Sequence, residues 1–584
     1  MISDPGTDGP AAKTTIDVTR NVEAQLAADG ANVDHLVNDA KAGTDAEHKL
    51  TLMEGLRKYP RAVFWSWLLS CAIIMTGFDI VLLGSFYALP QFTRKFGVAI
   101  AGSDPVRYTI TAPWQAGLSN GAKCGEIIGL AVNGFVVERF GARKTMLTAL
   151  SLLICWIFLS VFAQNIETLL AGQILMGTCW GIFETLTVTY AAEISPVALR
   201  HYLTSYVNLC WVIGQLIASG VLKGLLDWDS EWGFRLPFAL QWVWPVPVLI
   251  GCIFAPESPW WLVRKGRIED ARRTIRRIRK QTSEEEMDAQ LAMMIHTNAY
   301  EKTLAEGTSY KDCFKGVDLR RTEVAVGVWM IQNLCGSALM GYSTFFLEQA
   351  GLAKSNAFTM SIAQYALGAL GTISSWYLMK KFGRRSLYFY GLTTLCGLLM
   401  IVGILGCLPQ SNTGASWGVG AMLLVYTAVY DATIGPVCYC LVSEVSSTRL
   451  RAKTVVIARI FYNLMGIVIN TITPYMLNET ELNWRGKTGF FWGGMCFLCA
   501  TWTFFRCPEP KGRTYGELDV LFHNRVSARK FHKTAADQFA SHDTGISSAI
   551  GLVRSASDSS GEKGEKGLVQ MREHADEHTV KREL

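Results

Sequence analysis

From about residue 60 to residue 507, long apolar runs alternate with short polar segments. Windows of about 19 residues place spans near 63–84, 114–137, 145–164, 168–192, 203–225 and 235–255, then near 323–346, 357–379, 386–408, 416–443, 453–476 and 487–507. Each run approaches the ~20 residues that cross about 30 Å of hydrocarbon at 1.5 Å per residue. Two sets of six predict an all-α membrane protein with twelve transmembrane helices in two bundles. The segments around them read as a polar tail (1–60), a first bundle (61–255), a linker with helical pattern (256–322), a second bundle (323–507) and a second tail (508–584).

Charge adds direction. ERFGARK (138–144) follows the second run and KKFGRRS (380–386) the eighth; Arg200 and His201 follow the fourth, and Arg449, Arg451 and Lys453 follow the tenth. The linker carries Arg264, Lys265, Arg267, Arg272, Arg273, Arg276 and Arg277. Every loop between an even and an odd run is basic, and the positive-inside rule then places these loops and both termini in the cytoplasm. The halves also repeat. ERFGARK returns as KKFGRRS, AEISPVALR (192–200) as SEVSSTRLR (443–451) and PESP (256–259) as PEPK (508–511), each about 250 residues on and in the same order. Duplicated six-span halves with a midplane binding site are a common build of secondary transporters.

Composition agrees: half of the 584 residues are apolar and only 18 % are charged, below the quarter typical of soluble domains. The first sixty residues lack the basic-then-apolar layout of a cleaved signal peptide. The fifteen cysteines sit mostly inside apolar runs, without metal-like or disulfide-like spacing, and are expected to pack. The basic linker is tethered to spans on both sides, which favours anionic headgroups over nucleic acid as its neighbours. No nucleophile–base set, metal spacing or phosphate loop is visible, so neither an enzyme, a cofactor nor a metal is expected.

Taken together, ERFGARK, KKFGRRS, the Glu193…Arg200 and Glu444…Arg451 pairs, PESPWWLVRKGR and PEPKGRT resemble the sugar porter family of the major facilitator superfamily. DIVLLGSFYALPQF (79–92) and WQAGLSNGAKCGEIIGL (114–130) look most like fungal maltose and other α-glucoside permeases. The resemblance implies the major facilitator fold, with two pseudo-symmetric bundles rocking around a sugar. It also implies a latch of basic loops and carboxylates at the cytoplasmic gate: Arg139, Arg143, Arg384 and Arg385 with Glu193, Glu257, Glu444 and Glu509, together with Arg200 and Arg451.

Ionisable residues inside spans are costly and hence functional candidates: Asp79, Lys123, Glu126, Glu184 and Arg459. Asp79 occupies the Gly-aromatic-Asp position where proton-coupled members carry a protonatable carboxylate. Many of these open span four with an Arg, which is Gln173 here, so either Arg459 or another group supplies the countercharge, or coupling differs or is absent. Asp79, Glu126 and Arg459 are the proton-coupling candidates. Lys123 and Glu126 are three apart and predict a pair on one helix face.

Sugar recognition needs amides for hydroxyls and aromatic faces for pyranose rings. The family's span-seven Gln-Gln-Leu-Ser-Gly stretch is Gln332, Asn333, Leu334, Cys335, Gly336 here. Its span-five Gln aligns with Asn208, and Tyr439 and Asn463 stand at family Trp positions. With Tyr342, these are the substrate-binding candidates. Asn478-Glu479-Thr480 is a glycosylation sequon in a predicted external loop. The expectation is a monomeric plasma-membrane α-glucoside:proton symporter, with the amino-terminal tail disordered. A facilitator without coupling and a transport-inactive sugar sensor are the rival readings.

Overall fold

The computed structural model describes residues 50–99, 107–280, 283–305, 309–409, 412–447 and 450–511, with a few further positions between 39 and 46 and between 513 and 534. Twelve helical segments have span length. In the first half these are α1 (Pro60–Phe86), α2 (Ala112–Phe140), α3 (Ala142–Val161), α4 (Ile166–Ile194), α5 (Val197–Leu225) and α6 (Trp232–Phe254). In the second they are α7 (Gly316–Leu334, continued by Ala338–Gly341 and Ser343–Gln349), α8 (Lys354–Lys381), α9 (Arg384–Leu405), α10 (Thr413–Val445), α11 (Arg451–Leu477) and α12 (Thr488–Arg506). Eight of them are long and apolar enough to cross a membrane on composition alone; α2, α7, α8 and α12 are not. Three of those four turn polar groups inward: Gln115, Glu126 and Asn133 on α2, Arg321 and Gln332 on α7, and Ser361, Gln364 and Thr372 on α8. Their outward faces are apolar, with Ile128, Val132 and Phe135 exposed on α2 and Leu370 and Tyr377 on α8. That inside-out polarity is what a lipid solvent selects.

Small residues set the helix spacing. A Cβ built on Gly125 or Gly129 of α2 would lie 2.2 or 2.1 Å from the backbone oxygens of Ile174 and Thr178 on α4. Gly77 of α1 and Gly214 of α5 meet each other's helices in the same way. Such contacts let backbones touch where lipid offers no hydrophobic driving force for packing.

Four spans expected as single helices are interrupted, α1 only by a one-residue turn at Cys71. α6 passes through a 3-10 turn at Gln241–Val243, just before Pro245. α7 stops at Leu334, where Gly336 takes φ +98°, a conformation glycine reaches at no steric cost. α10 breaks at Thr433 between Ala432 and Ile434. Pro436 lies four residues after Ala432, and its ring would clash with that carbonyl in a continuous helix.

Three helices (Pro259–Arg264, Ile268–Ile278, Glu284–Ala305) follow α6, joined by a small apolar core of Trp261, Leu262, Ala271, Ile275, Met287 and Leu291. The tail expected over 1–60 ends earlier than predicted: Leu52–Lys58 is helical, with Thr51 and Glu54 forming a capping box. Residues 1–38 and 535–584 lie outside the described residues, and with them most of both expected tails.

Candidate functional site

Asp79, on α1, is 1 % exposed. One carboxyl oxygen accepts from Gln241 Nε2 at 2.5 Å across the α6 turn. Gln173 of α4 lies beside the same carboxyl, outside hydrogen-bonding geometry, and the second oxygen has no donor. No ion pair to Asp79 exists among the described residues. The cation sought in Arg459 is therefore not there: Arg459 of α11 pairs instead with Glu184 of α4, bridging the two bundles. Its guanidinium lies over the rings of Trp329 (4.8 Å) and Tyr462 (4.7 Å), which fixes its plane. On α2, Lys123 Nζ donates to both oxygens of Glu126, at 2.8 and 2.6 Å. These four side chains form a neutral network of two cations and two carboxylates, from which Asp79 stands apart. A buried pair of this kind is costly to break by removing one partner, at about 3–5 kcal/mol.

The amide candidates are divided. Gln332 Nε2 donates to the Gly435 carbonyl just beyond the α10 break (3.0 Å), and Asn333 Nδ2 donates to the Tyr462 carbonyl (2.9 Å). Asn208 of α5 reaches Thr372 of α8 across the seam at 3.4 Å. Tyr342 hydrogen-bonds Ser119 of the other bundle (2.8 Å) and stacks on Tyr87. Tyr439 stands edge-on to Trp329, partly exposed. Asn463 is fully buried, with neither amide atom partnered.

Two further groups escaped the sequence reading. Gln364 of α8 is fully buried and unpartnered at both amide atoms. Asp431 of α10, 7 % exposed, has neither a hydrogen bond nor an ion pair among the described residues. It packs against α8 so closely that a Cβ on Gly368 would lie 2.5 Å from its carboxyl, with Val212 of α5 also against that position. The signal for Asp431 was present, since it is an ionisable residue inside an apolar run. Buried polar groups are ordinarily hydrogen-bonded. Asp79 Oδ2, Gln173, Gln364 and Asn463 depart from that rule, each buried without a partner among the described residues.

At the end bearing the basic loops, the repeat becomes geometry. Glu257 accepts from the backbone N–H groups of Ala142 (2.9 Å) and Arg143 (3.2 Å), capping α3. Glu509 caps α9 through Arg384 N–H (2.8 Å) and Ser386 N–H (3.3 Å). Burial pushes the Glu257 carboxyl above its ordinary range, while the N–H groups of Ser258, Arg143 and Ala142 pull it down. A Cβ on Gly141 or Gly383 would meet the capping carboxylate at 2.5 or 2.1 Å, and Gly141 also has φ +90°.

The carboxylate–arginine contacts follow the expected partners only in part. Glu193 is answered by Arg264 (2.9 Å) and Ser258, while Arg200 donates to the Ala192 carbonyl. Glu444 is answered by Arg384 at 3.2 Å; the Arg451 side chain lies outside the described residues. Arg143 and Arg385 donate to carbonyls at the ends of α6 and α12, and Arg139 lies over Phe140. All these contacts stay within one bundle and its linker: Glu257 and Glu509 are held by backbone N–H groups, and Glu193 and Glu444 by an arginine, each on its own side. The hydrogen bonds described between bundles lie from mid-depth to the opposite end: Ser85–Thr344 (3.1 Å), Lys223 to the Ser355 carbonyl (2.8 Å) and Asn478 to the Ile110 carbonyl (3.0 Å). Asn478 is fully buried and its amide is spent on that bond, so in this conformation it is a tie between bundles and is not accessible for glycosylation.

Residues 66–522 match the family described as "Sugar (and other) transporter". The general alpha-glucoside permease of Saccharomyces cerevisiae is 44 % identical over 533 residues, covering 89 % of this chain and 86 % of its own. Maltose permease MAL61 of the same yeast is 44 % identical over 514 residues, covering 87 % and 83 %. Among solved structures, the proton:xylose symporter XylE bound to 6-bromo-6-deoxy-D-glucose aligns with a TM-score of 0.64 at 21 % identity, over 79 % of this chain and 99 % of that one. The partially occluded inward-open form of XylE from E. coli aligns at 0.61 and 21 %, over 77 % and 99 %. At that identity the likeness speaks for the fold, twelve helices in two bundles. With the family match spanning most of the chain and curated relatives above 40 % identity, the chain belongs to the sugar transporter family of the major facilitator superfamily, as a multi-pass membrane carrier and not an enzyme.

Proposed function

We propose that this carrier moves α-glucosides of the maltose type together with a proton across the plasma membrane, with the basic end and both termini in the cytoplasm. The single observation that carries the coupling is Asp79, a carboxyl fully enclosed between α1, α4 and α6 with only a glutamine donor and no countercharge. An isolated ion is expensive inside a membrane. A carboxyl that must pass through an enclosed state therefore does so with its proton, and gives it up when one bundle swings away and water enters. The names of the yeast permeases support an α-glucoside as the cargo.

The sugar is held at mid-depth between the bundles. Gln332 and Asn333 sit at the end of the intact part of α7, Asp431 at the break in α10, and Asn208 on the facing α5. Broken helices are where such carriers expose backbone and polar side chains to cargo. Ties between bundles at the end opposite the basic loops fit a carrier closed to the outside. The glutamate–arginine clusters at the basic end, each satisfied within its own bundle, are then parts that re-pair as the cytoplasmic gate closes.

A second reading is favoured by Gln173 and the missing cation at Asp79: an uncoupled facilitator. Uptake of labelled maltose, sucrose and glucose into a transporter-deficient yeast, with external pH recorded, separates the two. Maltose uptake that alkalinises the medium is the expected result. Maltose uptake with no pH change would leave the facilitator, and no uptake by protein confirmed at the cell surface would overturn the substrate assignment.

A further inference from the structure

We propose that the cleft where the approach to α1 meets the first linker helices is a binding site for a phosphate-bearing anion. The cleft, of about 600 Å³, is lined by Lys58, Arg276, Arg279, Lys280, Glu284 and Glu286, four cations against two carboxylates. Its centre is Arg279, 8 % exposed, whose guanidinium is held over the Tyr59 ring at 4.7 Å. Its Nε and Nη1 have no hydrogen-bond acceptor. The nearest carboxylate, Glu286, stands 3.6 Å from Nη1 and also 3.4 Å from Lys58 Nζ, so one acidic group is stretched between two cations. Glu284 is already engaged by Arg276 and Arg272.

A buried guanidinium with empty donors is costly until an anion fills them. Phosphate brings several acceptor oxygens to a planar Arg fork and to point charges from lysine. The site is built rather than incidental, because the Lys280 N–H donates to the Lys58 carbonyl at 3.0 Å and so joins segments far apart in sequence. The neighbouring Arg277 donates to the Phe254 carbonyl at the end of α6 (2.7 Å). The cleft thus lies level with the end of a span, at the depth of lipid headgroups, and is open to soluble phosphates as well.

The test uses the full-length protein in nanodiscs of phosphatidylcholine. Affinity is read from the thermal-unfolding shift on adding inositol trisphosphate, and separately on replacing part of the lipid with phosphatidylinositol 4-phosphate. Arg279→Gln is expected to weaken binding by about tenfold or more, the loss of one or two charge-assisted hydrogen bonds. Should that variant fail to fold, Arg276→Gln with Lys280→Gln, both at the surface, is expected to act in the same direction. A shift with the lipid alone supports the site and assigns it to a headgroup; a shift with the soluble phosphate supports it as a site for free anions. No shift with either, or equal shifts in wild type and all variants, overturns it.

Discussion

The ionisable side chains inside the bundles fall into two environments, and their chemistry follows from the difference. Lys123 pairs with Glu126 on α2, and Arg459 pairs with Glu184 across the two bundles. Asp79 has only Gln241, and the proposed proton role rests on that isolation. The Arg459–Glu184 pair gives a direct prediction. Arg459→Gln leaves a buried carboxylate uncompensated, and is expected to lower stability by about 3–5 kcal/mol and to abolish transport. Adding Glu184→Gln is expected to restore much of the stability, because the orphaned charge is gone. Unfolding midpoints of the two single variants and the double variant, in a double-mutant cycle, check this; purely additive losses would contradict a direct pair.

At the scale of elements, the repeated loops are helix caps. The glycine of ERFGARK and that of KKFGRRS make room for the glutamates of PESP and PEPK, which accept the first N–H groups of α3 and α9. Gly141→Ala is expected to cost about 1–3 kcal/mol from its left-handed backbone alone and further through displacement of Glu257. Gly383, with φ −71°, suffers only the displacement, so the expected order of stability is wild type, Gly383→Ala, then Gly141→Ala, read by thermal unfolding in detergent.

This scale also shows what could be read from the chain. Eight of the twelve spans stood out by a length and hydropathy that little besides a membrane demands, and the repeated loops supported the other four. The cap role of Glu257 was half visible: the residue was picked out, but as a partner for arginine rather than for backbone N–H groups, which leave no compositional trace. Asp431 carried the same signal as Asp79 and went unread beside the motif that follows it. The pairing of Arg459 with Glu184 depends on how two bundles meet, a relation between residues 275 apart in sequence that no local pattern encodes.

Over the whole molecule, the bundles touch along α2–α11 and α5–α8, and the ties from mid-depth to the end opposite the basic loops close one side. If those ties hold the outside shut, a crosslink between Lys223→Cys and Ser355→Cys is expected to stop uptake, and reductant to restore it. Each single variant should transport. Retained uptake in the oxidised double variant would show that this end does not need to open.

The central claim is that Asp79 carries the proton that drives accumulation. It is tested most directly in proteoliposomes holding wild type or Asp79→Asn, comparing maltose accumulation under an imposed pH gradient with maltose exchange at equal pH. The account predicts that the variant loses accumulation against a gradient while exchange persists, since a permanently neutral side chain still lets the loaded carrier cross. Accumulation by Asp79→Asn at the wild-type level would contradict it.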